Sequence, residues 1–306
     1  MINPSLLTDS LAAEVAMEVI LSSCEKKVRE RLASEIGKEL QDILATYANE
    51  AKRTVFFEKL LSSLSSHEGK FASMMQGIWE EQRRIVVANL KKMKKAWLQK
   101  DKIDELLYPR KQFEQKIAKE TKNLFEPIME ERAKEELAKI ERELRKPRKG
   151  KQAEGVIGAF DVQNPKVQEW LDSYTPKFSN KLETVSTDKL RSELIEGMKE
   201  GEGVPQLIKR VNTTYDNWDK VRSETIARSE AMRASNRGAI ESYRQSGVVK
   251  SKIWITYHDK RTCYSCADLD GKVIGLEDNY FNLGDPDEVI ERGGGGHTHS
   301  RTTMRT

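Results

Sequence analysis

Two of the chain's three cysteines and three of its four histidines fall between Trp254 and Ser300. Cys263 and Cys266 stand in a Cys-x-x-Cys spacing just after a strand-like run. A turn of this kind lets two thiolates face one ion at about 2.3 Å, the distance zinc prefers, and a second pair of ligands must then come from elsewhere. His297 and His299 can supply it, because residues two apart in an extended segment point the same way. Gly293 to Gly296 precede them and permit close backbone approach. The set Cys263, Cys266, His297 and His299 therefore reads as a zinc knuckle within 258–301. It is not a zinc finger, whose His-x3–5-His pair has a different spacing. The competing reading is a reduced cysteine pair with two histidines in a chain end. A thioredoxin-like redox pair is not expected, since no βαβ pattern surrounds it. His258 and Asp259 are adjacent, so on a strand they face opposite ways and do not form an acid–base pair.

The elements that must position these residues are mostly helical. Val28, Leu32, Ile36 and Leu40 repeat at helical spacing, as do Val86, Leu90, Met93 and Trp97. The run Ser62 to His67 reads as a serine-rich connection between helical hairpins. Pro109 and Pro127 read as helix ends or starts. Residues 130–149 mix acids and bases and read as a solvated helix with i,i+4 pairs. The stretch Arg145-Lys146-Pro147-Arg148-Lys149-Gly150-Lys151 marks a change of composition. It predicts a charged helical domain over 1–147, a basic linker over 148–155 and a second domain over 156–306. In the second domain, short helices are expected over Pro165–Leu171, Thr184–Gly201 and Val204–Tyr215. A longer helix should cover 219–246, capped by Gly247, and one strand Val248–Tyr257. The fold class is thus mainly α, with an elongated helical N-terminal half and a small α+β C-terminal module. Cys24 reads as a small buried hydrophobe.

Composition narrows the function. The chain has 306 residues, 33% of them charged, and a formal net charge of +4. Acids nearly match bases, so a dedicated nucleic-acid binder is not indicated by charge alone. Two basic stretches are the candidates for touching DNA or an acidic partner: Lys91, Lys92, Lys94 and Lys95 beside Trp97, and Arg145, Lys146, Arg148 and Lys149. Each also reads as an ordinary solvated face. There is no signal-peptide pattern at the start and no apolar run of the ~18 residues a membrane span needs. Walker, dinucleotide-binding and G-x-S-x-G motifs are missing as well.

The order of several short motifs adds a resemblance. Ile226-Ala227-Arg228-Ser229-Glu230 is followed by Asn236-Arg237-Gly238, Tyr243 and Gly247-Val248. Then come Trp254, Asp259-x-Arg261-Thr262-Cys263-x-x-Cys266, Leu269-x-Gly271 and His297-x-x-x-Arg301. Together with Phe160-Asp161-Val162 and Glu169-Trp170-Leu171 upstream, this resembles the phage minor head protein family, typified by protein F of phage Mu, over residues 155–303. The resemblance implies a structural virion component rather than an enzyme. It implies a place in the capsid interior or at the portal vertex, with the host cytoplasm as the site of assembly. Its partners would be the portal protein, capsid or scaffold proteins and phage DNA, and no membrane. The family's terminal block is His-Pro-x-Cys-Arg, and here Ser300 takes the cysteine position. Either His299 replaces that ligand or the metal is lost. The alternative readings are a DNA-binding packaging or ejection factor and a zinc-dependent nuclease or toxin carrying a head domain. The nuclease needs an open coordination position and a base, and residues 1–150 show no constellation to supply a toxin.

Overall fold

A computed structural model describes residues 50–92, 103–145, 158–257, 262, 264–280 and 302–305. The predicted helix carrying Val28 to Leu40, Cys24, and the linker 148–155 lie outside the described residues. The element order is α1 (Glu50–Lys92), α2 (Ile103–Leu106), α3 (Arg110–Leu144), α4 (Pro165–Lys199), α5 (Val204–Asn217) and a π-helical turn (Trp218–Arg222). It continues with α6 (Ser223–Ser246), β1 (Ser251–Thr256), α7 (Tyr264–Leu269), β2 (Val273–Gly275) and β3 (Thr302–Arg305). The protein is mainly α with a small α+β module near its C-terminus, as the residue pattern predicts.

Several predicted breaks are not breaks. The serine run 62–67 is part of α1, which continues to Lys92. Leu60, Leu64 and Phe71 keep an apolar stripe across it and are all buried. Ser63 Oγ donates to the Leu60 carbonyl at 2.8 Å, which satisfies its hydroxyl inside the helix. Pro127 lies within α3 and Pro176 within α4. Each removes one backbone hydrogen bond, but the flanking side chains are core: Phe125, Ile128 and Met129 beside the first, Thr175 and Ser179 beside the second. Burial on both sides of each proline outweighs the missing bond, so the expected helices over 165–171 and 184–201 are one helix. Its start is the expected one, with the Asn164 side chain accepting from the Lys166 amide at 3.1 Å and Pro165 in the first turn. Its end is a Schellman turn. Gly201 takes φ 74°, the Glu202 amide donates to the Gly197 carbonyl at 2.9 Å, and the Gly201 amide donates to Met198 at 3.1 Å.

Two compact units can be described separately, and neither is continuous in sequence. One draws on Ser65–Glu131 and Asp161–Ala234. Its core holds Phe71, Met75, Ile78 and Trp79 from α1, Phe125 from α3, Leu171, Leu190 and Leu194 from α4, and Leu207, Val211 and Tyr215 from α5. An aromatic ladder runs along α4: Trp170 and Tyr174 stack at 5.2 Å, Tyr174 and Phe178 at 6.3 Å, with Phe125 5.9 Å from Trp170. Their i, i+4, i+8 spacing puts these α4 rings on one face.

The other unit draws on Met1–Leu64, Arg132–Phe160 and Ser235–Thr306. Its antiparallel sheet has the order β2-β1-β3, with Ile253 opposite Val273 on one side and Arg305 on the other. The strand expected over 248–257 is shorter, and two further strands that the sequence does not announce pair with it. The expectation of a solvated helix after Glu130 also needs correcting. α3 buries Arg132, Ala133, Glu136 and Leu137 there. Its ion pairs are partly internal: Arg132 Nη2 lies 2.9 Å from Glu136 Oε1, with both side chains 4% exposed.

Candidate functional site

The cysteine-bearing segment sits on β1, α7 and β2. β1 is buried along most of its length because apolar and polar residues alike are covered: Lys252, Ile253, Trp254, Ile255 and Thr256. After β1 the chain turns through α7 and returns as β2. Gly271 makes the return possible, since its φ of 82° is strained for any residue with a Cβ. From there its amide donates to the Trp254 carbonyl at 2.8 Å, while the Trp254 amide donates to Lys272 at 3.0 Å.

Cys266 is 3% exposed and packs with Trp254 and Leu269, with Tyr280 against the cluster. The Trp254 and Tyr280 rings meet edge to face at 5.0 Å. The Cys266 carbonyl accepts from Thr256 Oγ1 at 2.9 Å. Asp270 then ties the turn to the strand, its Oδ1 accepting the Thr256 amide at 2.7 Å. Its Oδ2 receives Arg53 Nη1 at 2.7 Å, and the same guanidinium nitrogen donates to the Thr256 carbonyl at 3.1 Å. Thr262 Oγ1 donates to the Tyr257 carbonyl. Lys252 is also buried, donating to the Leu276 carbonyl at 2.9 Å beneath the Tyr280 ring. Burial holds the Lys252 ammonium below its ordinary pKa and, by the same cause, pushes the Tyr280 phenol up.

Of the residues singled out by type and spacing, the structure brings Trp254, Cys266, Thr262 and Gly271 into one small module. Cys263, Asp259, Arg261, His258, His297, His299 and Arg301 lie outside the described residues. Among the described residues no group of three or more His, Cys, Asp or Glu side chains is placed to hold a metal. Of the basic candidates, Lys91 and Lys92 are exposed at the end of α1. Arg145 is exposed after α3, 3.7 Å from Glu141. Lys94, Lys95, Lys146, Arg148 and Lys149 lie outside the described residues. Among the described residues no helix is long and apolar enough to cross a membrane. Sequence reasoning missed Arg53 and Asp270, which no local motif marks, because their contact spans 217 positions.

Comparison with known proteins bears on this same region. Residues 188–291 match the family described as phage Mu protein F like protein. That stretch runs from within α4 through α5, α6 and the β1–α7–β2 module. The uncharacterized protein YqbB of Bacillus subtilis (strain 168) is 26% identical over 123 residues, 40% of this chain. The match likewise spans only 40% of that relative's length. No solved structure matches the chain. Residues 188–291 thus form a phage Mu protein F-like region, of the family that the motif order in this sequence resembles.

Proposed function

We propose that the protein is a structural minor head protein of a tailed phage or prophage. In this reading it is present in few copies at the portal vertex or in the capsid interior, and it acts in head assembly by contacting the portal and capsid or scaffold proteins. The observation that carries the reading is the phage Mu protein F-like match over 188–291, which supports a phage head-related role. The test is mass spectrometry of purified, nuclease-treated particles from the phage or prophage encoding the chain, with copy number measured against the portal. A few copies per particle are expected. Absence from both filled and empty particles would overturn the placement in the virion.

Zinc belongs to the same proposal, held by Cys263, Cys266, His297 and His299. Thiolate and imidazole donors suit zinc chemically. The buried setting of Cys266 among Trp254 and Leu269 suits a structural ligand better than a reactive thiol, because apolar burial disfavours a free thiolate. Bound zinc would supply a cross-link between the turn after β1 and the chain's last residues. Metal analysis of the purified chain should find about one zinc per chain. Cys263→Ala should remove it and melt the C-terminal module while leaving the other helices folded. A wild-type protein without zinc would show that the metal has been lost in this chain, as Ser300 in the family's cysteine position already allows.

A further inference from the structure

We propose that Arg53, near the start of α1, is the residue that positions the cysteine-bearing segment of the phage Mu protein F-like region. Its contacts are to Thr256 and Asp270, 203 and 217 residues away in sequence. The match to the family begins only at residue 188, so the positioning group comes from a part of the chain that the family match does not include. The geometry is that of a clamp. One guanidinium nitrogen holds the carbonyl of the last β1 residue and the carboxylate that follows α7, and the same carboxylate holds the amide of that β1 residue at 2.7 Å. Thr256 then passes the constraint on through its hydroxyl, which fixes the Cys266 carbonyl at 2.9 Å. Arg53 and Asp270 side chains are only 10% and 14% exposed, so the pair is sheltered from solvent screening. One turn along α1, Phe57 is fully buried with its ring 5.2 Å from that of Tyr257, which seats the helix on the end of β1.

Arginine is suited to this task because Nη1 carries two N–H donors held in the guanidinium plane, one for each acceptor, whereas a lysine offers a rotatable point charge on a flexible stem. Loss of Arg53 would remove the charge-assisted bond to Asp270 Oδ2 and the bond to the Thr256 carbonyl together, from a site sheltered from solvent. Opening of the β1–α7–β2 turn is then the expected response.

The test uses the full chain and reads hydrogen exchange of peptides covering 251–275, together with alkylation of Cys266 in the presence of a chelator. Arg53→Gln should speed both by at least about ten-fold, the effect of losing one charge-assisted bond on local opening. Exchange in α4 should be unchanged. Glu58→Gln, on the exposed face of α1, should match the wild type in both readouts. Wild-type exchange and alkylation in Arg53→Gln would overturn the assignment. If Arg53→Gln loses helical signal throughout, Arg53→Lys decides. An intermediate rate upholds the clamp, and a wild-type rate overturns it. Neither readout depends on whether the protein is found in particles.

Discussion

Replacing Glu136 with alanine should destabilise the chain by about 3–5 kcal/mol, the usual cost of leaving a buried charge without its partner. Glu136 is 3% exposed in α3, and its Oε1 lies 2.9 Å from Arg132 Nη2 and 2.6 Å from Lys139 Nζ. Its Oε2 accepts the Tyr243 hydroxyl at 2.9 Å, across 107 positions of sequence. Burial alone would push this carboxyl up. The adjacent Arg132 and Lys139 charges and the Tyr243 hydroxyl outweigh it and hold the carboxyl below its ordinary pKa. A depressed folded-state pKa makes the ionised form part of the fold. The contribution is present above the unfolded carboxyl range and is lost as pH falls through the folded value. Urea unfolding at pH 7 and pH 4 should therefore show a smaller deficit for Glu136→Ala at the lower pH. Tyr243→Phe should cost about 1 kcal/mol, the worth of one hydrogen bond. The double change Arg132→Met with Glu136→Leu should recover most of the loss, because well-packed apolar side chains often replace a buried pair without penalty. A Glu136→Ala deficit under about 1 kcal/mol would show that Arg132 finds water or another acceptor, and the pair would not be structural.

These buried charges mark where the sequence can be read and where it cannot. Helical periodicity announces the last turns of α1 through Val86 and Leu90, because a stripe of apolar residues must face something wherever it lies, and Gly247 marks the end of α6. Asn164-Pro165 and Gly201 mark the two ends of α4 by chemistry that acts within a few residues. What the period does not convey is whether a proline sits in a helix that core packing carries past it, as at Pro127 and Pro176. Nor does it convey which charges of a mixed run are covered. Residues 130–144 look solvated because acids and bases alternate, yet Arg132 and Glu136 are interior. The π-helical turn Trp218–Arg222 is equally silent in sequence. It places the Arg222 guanidinium 4.9 Å over the Trp218 ring and 5.6 Å over Trp79, with Ser186 Oγ accepting from it at 3.0 Å. Of the candidate site, the motif order and Gly271 were legible because they are local. The Arg53–Asp270 pair was not, since one partner lies in a helix with no distinguishing composition.

Glu183→Gln should move stability in the opposite sense and with the opposite pH dependence. Glu183 is fully buried in α4, where Gln82 Nε2 donates to its two carboxylate oxygens at 3.0 and 3.2 Å. The other groups bearing on it are Tyr108, Glu114 and Arg110. Burial pushes its carboxyl above the ordinary pKa. Gln82, Tyr108 and Arg110 oppose the shift without cancelling it, and the Glu114 charge adds to it. The folded chain thus binds a proton more readily than the unfolded one at this position. That contribution is complete below the unfolded carboxyl pKa of about 4.3 and is lost as pH rises through the raised folded value. A glutamine keeps the shape and never ionises. Wild type and Glu183→Gln should melt together near pH 4, and the variant should melt higher at pH 8. A gap of a few degrees is the expected scale, at about 2–4 °C per kcal/mol for a domain of this size. The plateau of the difference at high pH reads the displacement of the carboxyl directly, at about 1.4 kcal/mol per pH unit. The phenols serve as an internal check. Burial and the Glu183 charge together push Tyr108 well above its ordinary range, so removing that charge should lower the pH at which Tyr108 ionises. A gap that is constant from pH 4 to pH 8 would mean that Glu183 titrates like an exposed carboxylate. The pH dependence of this unit would then have to come from another group.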